Sequence, residues 1–306
     1  MGVIRCKGTD LLVWRRDLIR HGGRAVDLDW LLSMAADCSW GDLQKLRICP
    51  DVEIELSSSL HELTDLWLQH RDQHIPLQHL VGICPWRDLE LEVSSAALIP
   101  RQETELLIDF ALQCFPKDAQ DVEGVWADLG TGSGALAAAL ARAFPRWQGH
   151  AVDASCSALD LAKRNLIALA GESGWQLHHG SWWEPLKPWW GQLDLVLSNP
   201  PYIPMAVMDE LAPVVKDHEP HLALCGGEDG LDCCRQIIRD ASRALAPGGW
   251  ILLEHHHDQS AMVLKLLSDA GLERPEARYD LQGIPRFALA QRSCESIASN
   301  QQRDKR

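Results

Sequence analysis

The run Val125-Trp126-Ala127-Asp128-Leu129 passes directly into Gly130-Thr131-Gly132-Ser133-Gly134 and then into the alanine-rich stretch Ala135 to Phe144. A strand, a glycine turn and a helix with no residue between them leave little choice of fold. The glycines permit a sharp turn and a close backbone approach, and that turn lies at the carboxyl end of a strand, where open parallel sheets bind nucleotides. The sequence beyond Arg101 keeps the same rhythm. Helical spacing over Glu103 to Phe115, Ala158 to Ala170, Leu231 to Leu245 and Ser260 to Ala270 alternates with short apolar runs. Those runs lie near His150 to Val152, at Leu193 to Leu197, at Trp250 to Leu253 and at Arg286 to Ala290. This alternation predicts an α/β domain whose mostly parallel sheet carries helices on both faces.

Upstream the pattern differs. Leu11, Leu12, Trp14, Leu18 and Ile19, then Leu28, Leu31 and Leu32, then Leu60, Leu63, Trp67 and Leu68 recur at helical spacing, and Ser59 with Glu62 forms a capping box. A small helical domain over residues 1–80 is expected. Leu89, Leu91 and Val93 alternate with Glu90 and Glu92 after the Gly82 and Pro85 breaks, which predicts a β-hairpin linker over 81–100. The catalytic domain then spans 101–292, and the polar end from 293 to 306 is too poor in apolar surface to fold.

Composition narrows the function. No apolar run approaches the roughly 20 residues of a membrane helix, and the basic N-terminal stretch does not read as a secretory signal. The 43 acidic residues exceed the 29 Lys and Arg by 14, which disfavours stable nucleic-acid binding. The ten cysteines show no C-x-x-C and are read as reduced thiols of a cytoplasmic protein, expected to be monomeric. The consecutive His255, His256 and His257 cannot all face one ion, so no metal is expected.

Two motifs carry chemistry. An acidic residue about twenty positions after the glycine turn, Asp153, ends the next strand, where its carboxylate can accept ribose hydroxyls. The spacing is G-x-G-x-G, without the G-x-G-x-x-G of dinucleotide sites or a phosphate-binding G-x-x-x-x-G-K-[ST]. S-adenosylmethionine, a nucleoside without phosphate, fits best. The other motif is Asn199-Pro200-Pro201-Tyr202, directly after the strand Leu193 to Leu197. Chance gives this tetrapeptide in roughly one chain in a thousand. Asn199 offers a side-chain carbonyl, the prolines fix the backbone and lack donors, and Tyr202 presents a flat ring. Such a loop accepts hydrogen bonds from a planar NH2 group and aims its nitrogen at a methyl donor.

The D-L-G-T-G-S-G turn, Ala151-Val152-Asp153 and N-P-P-Y, in this order, resemble an S-adenosylmethionine-dependent methyltransferase. Leu98-Ile99-Pro100-Arg101-Gln102-Glu103-Thr104-Glu105 resembles the I-P-R-P-[DE]-T-E signature of the bacterial release-factor glutamine methyltransferases. Pro76 to Gly82, and His218-Glu219-Pro220 with Leu222-Ala223-Leu224, match further runs of that family. The resemblance covers about Pro76 to Gln291. It implies a Rossmann-like class I methyltransferase domain that methylates the side-chain amide N5 of glutamine in the Gly-Gly-Gln motif of class 1 peptide chain release factors. It also implies that the helical N-terminal domain recognises that partner. By position, Gly130, Thr131, Gly132, Ser133, Gly134, Asp153, Trp182 and Asn199 would hold the cofactor. Asn199, Pro200 and Tyr202 would act in catalysis, and Asn199, Pro200, Pro201, Tyr202, Arg101 and Glu103 would meet the substrate. Gln102 departs from the usual proline, and Ser181 from the acidic residue that often precedes the tryptophan. The alternatives are glutamine methylation of a ribosomal protein, N6-adenine methylation of DNA or RNA, and a non-enzymatic cofactor sensor.

Overall fold

The computed structural model describes residues 3–116 and 122–294. From 295 onward the expected unfolded tail lies outside the described residues. The chain divides into two compact units, Met1–Ile83 with Ala212–His218, and Cys84–Leu211 with Glu219–Arg306.

The first unit contains helices α1 (Gly8–Arg20), α2 (Ala25–Ala36), α3 (Trp40–Ile48), α4 (Leu60–Gln73) and α5 (Leu77–Val81). Leu11, Leu28, Leu31, Leu32, Leu63 and Trp67 of the sequence pattern meet in its core. The Ser59–Glu62 capping box forms as expected, with the Glu62 N–H donating to Ser59 Oγ at 3.2 Å and the Ser59 N–H donating to Glu62 Oε2 at 2.8 Å. Two short strands, β1 (Ile4–Lys7) and β2 (Glu53–Leu56), pair antiparallel and were not anticipated. Each has only four residues: Ile4–Lys7 is mostly exposed and shows no apolar alternation, and the Glu-Ile-Glu-Leu alternation of Glu53–Leu56 is short and stands among helical spacings. The unit also takes in a later piece of chain around the short helix α9 (Pro213–Lys216), where the ring of His218 donates to the Gln73 carbonyl at 2.8 Å.

In the second unit, β3 (Ile83–Trp86) and β4 (Leu89–Glu92) form the hairpin, and the boundary between units falls just inside β3. Trp86, Leu89 and Leu91 are buried in the same core as Trp126, Leu136 and Phe287. The stretch read as a linker is thus largely part of this unit's packing. A 3-10 turn, Glu103–Glu105, leads into α6 (Leu106–Cys114). Then follow β5 (Val125–Leu129), α7 (Ala135–Ala143), β6 (Gln148–Asp153), α8 (Cys156–Ala170), β7 (Trp175–His179) and β8 (Leu193–Ser198). After α9 come α10 (Asp232–Ala244), β9 (Leu245–Glu254), α11 (Ser260–Asp269), β10 (Glu273–Tyr279) and β11 (Pro285–Gln291).

The sheet has seven strands in the order β10-β11-β9-β8-β5-β6-β7. Strands β9, β8, β5, β6 and β7 are parallel, and β11 and β10 close one side antiparallel. Strand order reverses between β5 and β8, and the crevice at such a reversal, beyond the carboxyl ends, is where sheets of this kind hold ligands. Pairing of Leu129 with Val152, Asp128 with Leu197, and Ser198 with Leu253 brings the residues after β5, β6, β8 and β9 out at one edge. No helix among the described residues is long and apolar enough to cross a membrane.

Candidate active site at the carboxyl ends of the strands

The glycine turn is held from both sides. The N–H groups of Gly130 and Thr131 both donate to the Val152 carbonyl at 2.9 Å, which ties the end of β5 to β6. The Gly132 N–H donates to Asp153 Oδ2 and the Ser155 N–H to Oδ1, each at 2.9 Å. Burial pushes the Asp153 carboxyl up, against the pull of these backbone donors. Gly134 has φ 82°, and a Cβ there would lie 3.0 Å from Cα of Ala162, so glycine alone lets α7 and α8 approach this closely. Below the turn, Thr131 Oγ1 donates to Asp128 Oδ2 at 2.6 Å, and burial pushes the Asp128 carboxyl up to about 7. Asn165 of α8 braces the turn from outside the motif. Its Nδ2 donates to the carbonyls of Ser133 at 2.8 Å and Glu92 at 2.9 Å, while its Oδ1 accepts the Glu92 N–H at 2.8 Å.

The loop after β8 carries a second network. Asn199 Nδ2 donates to Thr104 Oγ1 at 2.9 Å, and Thr104 Oγ1 donates to Glu254 Oε2 at 2.6 Å. The Tyr202 hydroxyl donates to Glu254 Oε1 at 3.2 Å. Glu254, the last residue of β9, is only 2% exposed, and burial pushes its carboxyl up to about 7. With Nδ2 engaged on Thr104, Oδ1 is the end of the Asn199 amide that offers an acceptor to the cavity. Gln259 steadies the same loop by donating from Nε2 to the Tyr202 carbonyl at 3.0 Å.

Both loops border one cavity of about 390 Å³, within the usual range for small-molecule sites. Gly130, Thr131, Gly132, Ser133, Asp153, Trp182, Asn199, Pro201 and Arg101 line it, as the motifs anticipate. Gly134 lies just behind, at the start of α7. Three expected contacts are placed differently. Glu103 is exposed on the 3-10 turn and is not in the cavity wall. The turn directs the intervening Thr104 inward instead. Pro200 is buried and Tyr202 half-buried, and neither side chain lines the cavity. The Tyr202 hydroxyl is engaged on Glu254. Glu105 accepts the Arg87 N–H at 2.9 Å and thus fixes the hairpin turn.

Arg101 Nη2 donates to Glu219 Oε1 at 2.7 Å, and Trp86 Nε1 donates to the Arg101 carbonyl at 2.8 Å. Glu219 is buried, which raises its carboxyl despite the guanidinium. Among the described residues Arg101 is the only lysine or arginine in the wall, and it already has a carboxylate partner. Such a wall suits a nucleoside without phosphate. The observations fit S-adenosylmethionine: a carboxylate at the end of β6 for ribose hydroxyls, Trp182 within van der Waals reach of the Gly130 position, and a wall with little fixed charge. Ser181 also lines the cavity, where it offers a hydroxyl rather than a carboxylate as acceptor. Among the described residues no three His, Cys, Asp or Glu gather as a metal set.

Thr104, Asn165 and Glu254 were not anticipated as site residues. The signature run around Arg101 contains Thr104, but its acidic neighbours drew the reading. Glu254 ends an apolar run, a position equivalent along the sheet edge to that of Asp153, and this was the signal available for it.

A family model described as the methyltransferase small domain matches residues 103–213. The chain is 54% identical over 283 residues to a protein of Prochlorococcus marinus named release factor glutamine methyltransferase, covering 92% of this chain and 96% of that protein. A protein of the same name from Thermosynechococcus vestitus is 43% identical over 240 residues, 78% of this chain and 82% of the other. Among solved structures, the hMettl16 catalytic domain in complex with MAT2A 3'UTR hairpin 6 matches with a TM-score of 0.53 at 13% identity, over 77% of this chain and 81% of that one. At that identity the likeness concerns the fold alone.

Proposed function

The chain belongs to the release factor glutamine methyltransferase family, and from that premise we propose that it transfers a methyl group from S-adenosylmethionine to the side-chain amide nitrogen of the Gly-Gly-Gln glutamine of class 1 peptide chain release factors. When bound, the cofactor supplies a methyl carbon on a sulfonium, open to attack by a neutral nitrogen. Gly130 to Gly134 would shape the wall against it, Asp153 would accept from its ribose hydroxyls, and Trp182 would pack beside its adenine. Asn199 Oδ1 and the Pro200 carbonyl accept the two N–H groups of the glutamine amide. Held by both, the nitrogen presents its electron pair instead of turning it freely. Transfer would form the nitrogen–carbon bond at the expense of the carbon–sulfur bond, whose electron pair would remain on sulfur. The excess proton on nitrogen then leaves to water. Asn199 has no proton-accepting role in this sequence, and orientation carries the catalysis. Pro201 and Arg101 border the acceptor side, with Arg101 fixed by Glu219.

The observation that carries this reading is the directional chain Glu254–Thr104–Asn199, which presents an amide oxygen to a cavity lined by the glycine turn. An adenine amino group is also a planar NH2. A duplex substrate would require phosphate-binding cations, and the net charge of −14 and the already paired Arg101 weigh against it. We assign the first unit to recognition of the release factor and the second to cofactor binding and transfer. We place the protein, as a monomer, in the cytoplasm, where its ten thiols would stay reduced.

The test is transfer of labelled methyl to purified release factor, to the same factor with the tripeptide glutamine changed to alanine, to a ribosomal protein mixture and to duplex DNA, with mass mapping. Label on the wild-type factor alone is expected. Label on DNA or on ribosomal protein would reassign the acceptor.

A further inference from the structure

Building on the reading of Asn199 as acceptor of the substrate amide, we propose that Glu254 is a positioning residue which, through Thr104, sets which end of the Asn199 amide faces the cavity. A carboxylate only accepts hydrogen bonds. Thr104 and Tyr202 both direct their hydroxyls at Glu254, one to each oxygen. Each hydroxyl has a single proton. Once the Thr104 proton is committed to Glu254, its oxygen can only accept, so the Asn199 atom 2.9 Å away must be the NH2. The amide oxygen is thereby left for the substrate. An ionised Glu254 thus dictates, over two hydrogen bonds, the polarity that the acceptor site needs.

A protonated Glu254 gives the opposite instruction. With its proton on Oε2 it becomes a donor to Thr104, which is then free to direct its own proton toward Asn199. The amide that satisfies that arrangement turns its NH2 to the cavity, where it meets the NH2 of the substrate donor to donor. The surroundings place this exchange near neutrality. Burial above all, and then the Glu103 charge, raise the Glu254 carboxyl, the Thr104 and Tyr202 hydroxyls and the Arg286 guanidinium lower it, and together they leave it at about 7. Arg286 is itself held by Asp280 at 2.8 Å. His255, the next residue on the chain, is buried, and that burial holds its ring below the ordinary histidine value, so it adds little positive charge near neutral pH. The sign follows: the active polarity requires the ionised form and is lost as pH falls through about 7. Asp128, the other carboxyl pushed to about 7, lies under the glycine turn and acts on cofactor binding, so the measurement is made at saturating cofactor.

Glu254→Gln is permanently neutral and nearly isosteric. It is expected to lower kcat for release-factor methylation on the order of tenfold to a hundredfold, the scale seen when a group orienting a reacting residue is removed. Cofactor Kd should stay within about twofold, since Asp153 and the glycine turn are untouched. The acid limb of the wild-type kcat profile should disappear. Thr104→Val should reproduce the loss and Thr104→Ser should restore most of the rate, because the hydroxyl and not the bulk is what the chain requires. Full kcat in Glu254→Gln, an unchanged acid limb, or equal losses in Thr104→Val and Thr104→Ser would each overturn the proposal. Should Glu254→Gln not fold, the Thr104 pair decides on the same readouts. A measurement without acceptor substrate separates this inference from the assigned reaction. The Asn199 side-chain NH2 resonance, identified by its absence in Asn199→Ala, is expected to titrate near pH 7 in wild type and not in Glu254→Gln. A flat resonance in wild type overturns the positioning role, whereas a wild-type enzyme that labels no release factor but shows the titration overturns only the substrate.

Discussion

Asp153 and Asn199 border the same cavity, and on the roles proposed for them their substitutions should separate. Asp153 is fixed by two backbone N–H groups and is proposed to hold the cofactor. Asp153→Ala is expected to weaken cofactor binding by roughly tenfold, the worth of a hydrogen bond to a charged group. Asn199→Ala is expected to leave cofactor affinity within about twofold and to lower turnover by a hundredfold or more, as when a preorganised polar contact to the reacting group is lost. Calorimetric titration of the cofactor and single-turnover methylation measure the two quantities, and parallel losses in both variants would contradict the division. The sequence pointed to both residues because each follows a strand within a compact motif. It did not point to Glu254 or Thr104, since what makes them matter is a hydrogen bond across 150 positions of chain. Nor could it show that Glu103 is exposed while Thr104 points inward, because a 3-10 turn offsets neighbouring side chains differently from an α-helix.

Among the elements of the large sheet, the strands read correctly are the central ones. Val125 to Leu129 and Leu193 to Leu197 are covered on both faces and therefore appear as unbroken apolar runs. The two strands least legible, β10, which is not anticipated, and β7, anticipated only as a strand ending at His178-His179, are the two edges of the sheet. Trp175-Gln-Leu-His-His and Glu273-Arg-Pro-Glu-Ala-Arg-Tyr carry polar residues and a proline, as exposed edges do, and this composition hides them from a reading based on apolar pattern. Helix α8 connects the hairpin to the glycine turn through one side chain. Removing Asn165, which is buried, would take a partner from the Glu92 N–H and carbonyl, which are part-buried, and from the buried Ser133 carbonyl. Asn165→Leu is expected to lower unfolding free energy by about 3 kcal/mol and to weaken cofactor binding at the same time. Urea denaturation with and without cofactor checks both, and a destabilised variant of unchanged cofactor affinity would disconnect the clamp from the site.

At the scale of the whole molecule, stability rests on packing. The two units each bury their own apolar cluster, and none of the ten cysteines is bridged. Thermal unfolding is accordingly expected at the same Tm in strong reductant and in its absence, under conditions that exclude air oxidation; a drop of several degrees on reduction would reveal a covalent tie. The division into units was legible as a change of apolar period near Val81, but the return of Ala212–His218 to the first unit was not. Nothing in Ala-Pro-Val-Val-Lys-Asp-His differs in composition from the loop around it. That return gives the molecule an order of birth. A ribosome delivers the chain from its amino end, and domains usually close one after another in that direction. Here the earlier unit must wait with one place open while the glycine turn, its neighbouring strands and the N-P-P-Y loop are all synthesised, and it is finished only when His218 has emerged.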